Sequence, residues 1–202
     1  MAEPNRYEHA PRLPEGTLDP GALVGNAGEP IELEVGPGRG GFALERLANF
    51  PACRLIGLEI KRKWATIVDE RLKQRGLGER GRVFYEDARL ALPRFVDHSV
   101  SIAYFHFPDP WWKKRHHKRL VLSRALLDEL ARVLVPRGEL FVQTDVEERA
   151  LAYESIVESH GAFSPVEALA RIVQNPYGAM SPRERRATAD GLPIFRLRYQ
   201  RS

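Results

Sequence analysis

Cysteine is almost absent from this chain: Cys53 is the only one in 202 residues. No internal disulfide can form, which fits a reducing compartment. Long apolar runs are missing too. No stretch reaches the 18 or so residues that a membrane-spanning helix needs. The first residues carry acids and prolines where a secretory leader would place a basic and then an apolar region. The chain is therefore expected in the cytoplasm with no membrane partner. There is also no internal repeat, no low-complexity tract and no sign of a second domain.

What is present reads as an ordinary globular chain, with 43% hydrophobic and 29% charged residues. Lys and Arg number 31 against 27 Asp and Glu, giving a net charge of +4 and a pI near 9.4. A pI above 9 points mildly to nucleic acid, so the position of the charge matters more than its sum.

Residues 1–30 are rich in Pro and Gly without periodicity and predict an irregular N-terminal arm. Residues 31–202 predict one domain in which apolar runs alternate with helical patterns. Strands are expected at 31–35, 54–58, 82–85, 100–107, 139–143 and 194–199. Helices are expected at 42–49, 61–75, 118–135 and 146–160, the third closed by Pro136 and Gly138. Strands separated by helices predict an α/β fold, a doubly wound and mostly parallel sheet. In such a sheet ligands sit outside the carboxyl ends of the strands.

The first strand runs into Glu34-Val35-Gly36-Pro37-Gly38-Arg39-Gly40-Gly41, and the second ends at Glu59. Glycines let the backbone turn tightly and approach a ligand, and an acid about 20 residues on can accept from ribose hydroxyls. Gly36, Gly38 and Gly41 also satisfy the dinucleotide spacing G-x-G-x-x-G. Glu34 decides between the cofactors. A carboxylate would repel the pyrophosphate of NAD but attract the sulfonium and ammonium of S-adenosylmethionine. One such charge pair at ~4 Å is worth ~4 kcal/mol before desolvation. Asp87 ends the third strand, where it either accepts from the adenine amine or caps a helix.

Phe107-Pro108-Asp109-Pro110-Trp111-Trp112 follows the fourth strand, and the seven residues from Lys113 to Arg119 are all basic or His. Two prolines restrict the backbone around Asp109. Flat aromatic faces beside a positive run suit base stacking and phosphate neutralisation. His106, His116 and His117 could suggest a metal, but partners for a zinc site are not nearby in sequence, so none is expected.

These segments together resemble the bacterial tRNA (guanine-N7)-methyltransferase family. Glu34-Val35-Gly36-x-Gly38, Gly57-Leu58-Glu59, Asp87-Ala88, Phe107 to Arg119, Thr144-Asp145 and Ser181-x-x-Glu184 with Gly191 carry the resemblance. It implies a Rossmann-like class I methyltransferase sheet of about seven strands, the last antiparallel. It implies S-adenosylmethionine as cofactor, held by Glu34, Gly36, Gly38, Glu59, Asp87 and Asp109. Asp109 would be the catalytic carboxylate. Lys113, Asp145, Ser181 and Glu184 would hold the substrate. Lys114, Arg115, His116, His117, Lys118 and Arg119 would meet RNA. The product would be 7-methylguanosine at the variable-loop guanine of tRNA, and the sequence leaves homodimer and monomer both open. The family usually has Thr where this chain has Ser181, which keeps the hydroxyl and loses the methyl.

The chemistry is consistent with that set. Guanine N7 carries a lone pair and no proton, so its methylation needs alignment and electrostatics rather than a general base. Carboxylates such as Asp109, Asp145 or Glu184 can accept from guanine N1–H and N2–H, which would select guanine. Three other readings are a same-fold methyltransferase acting on a protein or small molecule, an RNA-binding protein without activity, and an NAD-dependent oxidoreductase. The basic run argues against the first. The intact acids Glu34, Glu59 and Asp109 argue against the second, and Glu34 against the third.

Overall fold

In the computed structural model, residues 7–108 and 121–202 are described. Strand β1 (Ile31–Val35) leads to helix α1 (Gly41–Asn49), β2 (Leu55–Glu59), α2 (Arg62–Gln74), β3 (Gly81–Tyr85) and the single turn α3 (Ala88–Ala91). Then come β4 (Val100–His106), α4 (Arg124–Val133), β5 (Leu134–Thr144) and α5 (Glu147–Glu158). Two short strands, β6 (Phe163–Pro165) and β7 (Arg171–Ile172), precede α6 (Pro182–Ala189) and β8 (Phe195–Arg201).

The strands form one sheet in the order β3-β2-β1-β4-β5-β8-β6. Neighbours from β3 to β5 run parallel, and β8 lies antiparallel to β5. Strands β6 and β7 pair in succession with β8 and join the six strands expected from the sequence, so the sheet has eight strands against the about seven that the resemblance implies. The chain order reverses between β1 and β4, which makes their carboxyl ends the switch point where a doubly wound sheet binds ligands.

Alternation along the strands builds two cores. Ala103, Phe105, Leu140 and Val142 face α4, α5 and the N-terminal arm. Tyr104 and Phe141 face the other way, toward Phe42 and Leu47 of α1 and Val68 and Leu72 of α2.

Four local expectations differ from what forms. The arm is largely irregular but not detached: Leu13, Leu18 and Val24 join the core, and Pro11 accepts from the Tyr85 N–H at 2.7 Å. Helix α4 starts only at Arg124, after Ser123, whose Oγ accepts from the Leu126 N–H. Its expected first turn extends into residues 118–120, outside those described. Pro136 and Gly138 do not separate α4 from the next strand. They lie in a bulge within β5, where Val100 pairs with Leu134 and Ile102 already with Glu139. Helix α6 was not expected, because Pro182–Ala189 is too polar to show apolar periodicity. Its signals are a capping Ser181 and Pro182 at the first helical position.

Candidate active site

The loop from Gly36 to Gly40 leaves the carboxyl end of β1. Gly36 and Gly38 both have positive φ, and the space a side chain would fill at each is open. Only glycine adopts this path without strain, and its bare backbone leaves room for a ligand. One strand over, Glu59 is buried at the end of β2. Its Oε2 accepts from the Gly38 N–H at 2.9 Å and its Oε1 from the Lys61 N–H at 2.8 Å. The second-strand acid thus fixes the glycine loop, and a carboxylate has lone pairs left for further donors. Beside it Ile60 is 66% exposed, an apolar side chain facing out at a strand end that the sequence reading passed over.

Glu32 and Glu34 lie on one face of β1, two residues apart, and their contrast is informative. Glu32 is satisfied. Its oxygens accept from Arg46 at 2.7 and 2.9 Å and from the Tyr104 hydroxyl at 2.9 Å. Glu34 is only 1% exposed, yet among the described residues has a single polar contact, Oε1 to His106 Nδ1 at 3.0 Å. Among the described residues Glu34 Oε2 and His106 Nε2 have no hydrogen-bond partner. His106 packs among Phe42, Tyr104 and Phe141. In the sequence His106 suggests nothing beyond a metal ligand. Its available signal was position, two residues past Tyr104 and so on the same face of β4.

An under-satisfied buried carboxylate beside an open glycine loop fits a ligand that brings positive charge. A diol suits the remaining lone pairs of Glu59. This donor set fits S-adenosylmethionine better than a pyrophosphate. Among the described residues no group of three His, Cys, Asp or Glu could hold a metal ion.

Asp87 caps α3 by accepting from the Arg89 N–H at 2.9 Å. The Arg89 guanidinium also binds both its oxygens and holds the carboxyl below its ordinary range. The capping role is therefore realised, and the adenine role is left to its remaining lone pairs. At the end of β4, Phe107 adopts φ 49°, rare for a side chain of this size, and donates to the Gln143 carbonyl at 2.7 Å. Such strain concentrates at functional sites. Asp109, Lys113, Lys114, Arg115, His116, His117, Lys118 and Arg119 follow directly and lie outside the described residues.

The end of β5 meets α6. Asp145 accepts from Arg183, through Nε at 3.0 Å and through Nη2. Ser181 Oγ accepts from the Glu184 N–H at 3.1 Å, a helix cap. The Glu184 carboxylate is 1% exposed and accepts from Gln143 and Asn175, each at 3.0 Å, and from Arg196 at 2.9 Å. Pro182 packs where a side chain on Gly41 would stand, 2.6 Å from its Cβ position. Helix α6 thus abuts the start of α1, beside the glycine loop. The structure gathers Glu34, Gly36, Gly38, Glu59 and Asp87 along the ends of β1 to β3, and Asp145, Ser181 and Glu184 at the end of β5.

Residues 28–197 match a family model described as "Putative methyltransferase". The chain is 38% identical over 170 residues to the tRNA (guanine-N(7)-)-methyltransferase of Myxococcus xanthus, covering 84% of this chain and 82% of that one. It is also 38% identical over 179 residues to the enzyme of that name from Anaeromyxobacter dehalogenans, covering 88% of each. Among solved structures, the 16S rRNA methyltransferase KamB superposes with a TM-score of 0.64 at 14% identity, covering 96% of this chain and 97% of that one. A geranyl diphosphate methyltransferase in complex with S-adenosylmethionine gives a TM-score of 0.57 at 13% identity, covering 90% and 82%. Those two likenesses establish the class I methyltransferase fold, while the sequence relatives go further. With its glycine loop, strand-end acids and α6 motif placed around one switch point, the chain belongs to the tRNA (guanine-N(7)-)-methyltransferase family.

Proposed function

We propose that this enzyme methylates N7 of the variable-loop guanine of tRNA, using S-adenosylmethionine, in the cytoplasm. The observation that carries the reading is Glu34, buried beside the glycine loop with one oxygen lacking a partner among the described residues. Bound there, S-adenosylmethionine supplies an electrophilic methyl group on a cationic sulfur.

The residues divide the work. Gly36 and Gly38 give the cofactor room, Glu59 orients the ribose, and Glu34 offers negative charge toward the methionine end. Ile60 and Asp87 flank the adenine side. Asp109 is the carboxylate that stabilises the positive charge that N7 methylation places on the guanine ring. No residue removes a proton, because N7 has none. Lys113, Asp145 and Ser181 hold the substrate. Glu184 acts by holding α6 in place, since its oxygens already serve Gln143, Asn175 and Arg196. Lys114, Arg115, His116, His117, Lys118 and Arg119 contact the RNA.

Incubation of bulk tRNA with methyl-labelled cofactor, then nucleoside analysis, tests the reaction. The label is expected in 7-methylguanosine and at the variable loop. Label in any other nucleoside would refute the assignment.

A further inference from the structure

Helix α2 opens with Arg62 and Lys63, directly after Lys61, and has no acid in its first turn. The positive end of a helix dipole disfavours cations and favours Asp or Glu. The surroundings suggest what these cations are held for. The Arg62 guanidinium lies 5.2 Å from the ring centre of Tyr85, and Arg12 lies over the same ring at 4.8 Å. Arg39, from the glycine loop, lies 5.2 Å from the ring of Trp64, and Lys63 lies 5.7 Å from it.

Arg39, Arg62 and Lys63 are exposed. Among the described residues no carboxylate pairs with any of the three. Buried Glu86 is engaged by Arg12 at 3.0 Å, and Asp87 by Arg89. Ring faces rather than acids hold these side chains, so their charge stays available to an external anion. Stacking also restricts their rotamers in advance, which lowers the entropy lost when an anion binds.

We propose that Arg39, Arg62 and Lys63 form a phosphate-binding surface for tRNA on the cofactor side of the reaction centre. This surface is separate in sequence from residues 113–119, and it rests on the chain's action on tRNA. The placement suits a polynucleotide. Helix α2 starts at the carboxyl end of β2, two strand spacings or about 10 Å from the end of β4 that leads into the basic run. An RNA backbone entering the reaction centre can meet this surface.

The test measures tRNA affinity by fluorescence anisotropy across a salt series for Arg62→Ala/Lys63→Ala and for Arg39→Ala. Calorimetry with S-adenosylhomocysteine and thermal melting are run on the same proteins. The salt slope should fall by about two units for the double variant and about one for Arg39→Ala. The double variant should keep its S-adenosylhomocysteine affinity and melt no lower than the parent, because the conflict with the helix dipole is removed. Arg62→Lys should retain the slope. An unchanged slope in both Ala variants would overturn the proposal. So would weaker S-adenosylhomocysteine binding with an unchanged slope, which would assign the cations to the cofactor. Absence of salt-dependent tRNA binding in the parent protein would instead overturn the tRNA reading, and this surface with it.

Discussion

Two glutamates on one strand face show how a residue's surroundings separate structure from function. Glu32 has three donors and completes a network with Arg46 and Tyr104. Among the described residues Glu34 has one polar contact, to His106, and an oxygen without a partner. Burying a carboxylate costs several kcal/mol unless it is fully paired. Under the proposed reading, position 34 gives up stability that a bound cation would restore. Glu34→Gln keeps the shape and removes the charge. It should raise the melting temperature while weakening S-adenosylmethionine binding at least tenfold, read by scanning calorimetry and titration calorimetry. Equal affinity in the variant would sever Glu34 from the cofactor. Asp109 is a carboxylate of a different kind, proposed to act on the reacting ring. Asp109→Asn should slow single-turnover methyl transfer by ~10²-fold or more, by analogy with loss of one electrostatic stabiliser. Its tRNA affinity should change far less. Near-parental turnover with intact binding would pass the role to Asp145.

At the scale of elements, the site depends on how α6 is held. The helix is short and polar, and little in its own sequence would keep it folded in isolation. Ser181 caps it, and Glu184 ties it to β5, β8 and Asn175. Removing Glu184 leaves the half-buried Arg196 without its anion and Gln143 without its acceptor. Glu184→Ala should therefore destabilise the fold by about 3–5 kcal/mol, the range for breaking a buried ion pair. Ser181→Ala should cost only about 0.5–2 kcal/mol, as a lost cap. Chemical denaturation of both variants checks the order. If Glu184→Ala proves the milder, its carboxylate is free for substrate rather than engaged in holding α6. Helix α6 also shows the limit of periodicity as a guide. Its two legible signals were a cap and a proline, and neither says against which surface a polar helix will dock.

For the whole molecule, the main question is how a small sheet grips a large RNA. Chain-wide charge is only +4, so attraction has to come from local concentration. Replacing Lys113, Lys114, Arg115, Lys118 and Arg119 with Ala should reduce the salt slope of tRNA binding by up to about five units. Cofactor affinity should hold. A slope equal to the parent's would reduce the run to a solvated face. The family membership of the chain and the common position of the strand-end acids agree with a single reaction centre at the switch point between β1 and β4.

The amino-acid sequence by itself determined the alternation of strands and helices, the glycine loop, the acids at the ends of β1 and β2, and the basic run. Each of these is local. Apolar period, glycine content and charge are written in consecutive residues, and β1, β2 and β3 were legible to within a residue for that reason. Tertiary structure alone decided which acid would be satisfied. Glu32 and Glu34 differ because Arg46 and the Tyr104 hydroxyl reach one, while among the described residues His106 alone reaches the other. Tertiary structure also decided that Glu184 would be a hub, since its donors lie 9 to 41 residues away. Ring faces likewise replaced acids as the supports of Arg39, Arg62 and Lys63. The physical reason is the same in each case: a buried or stacked polar group takes its character from neighbours that only folding brings near, and no spacing rule encodes them.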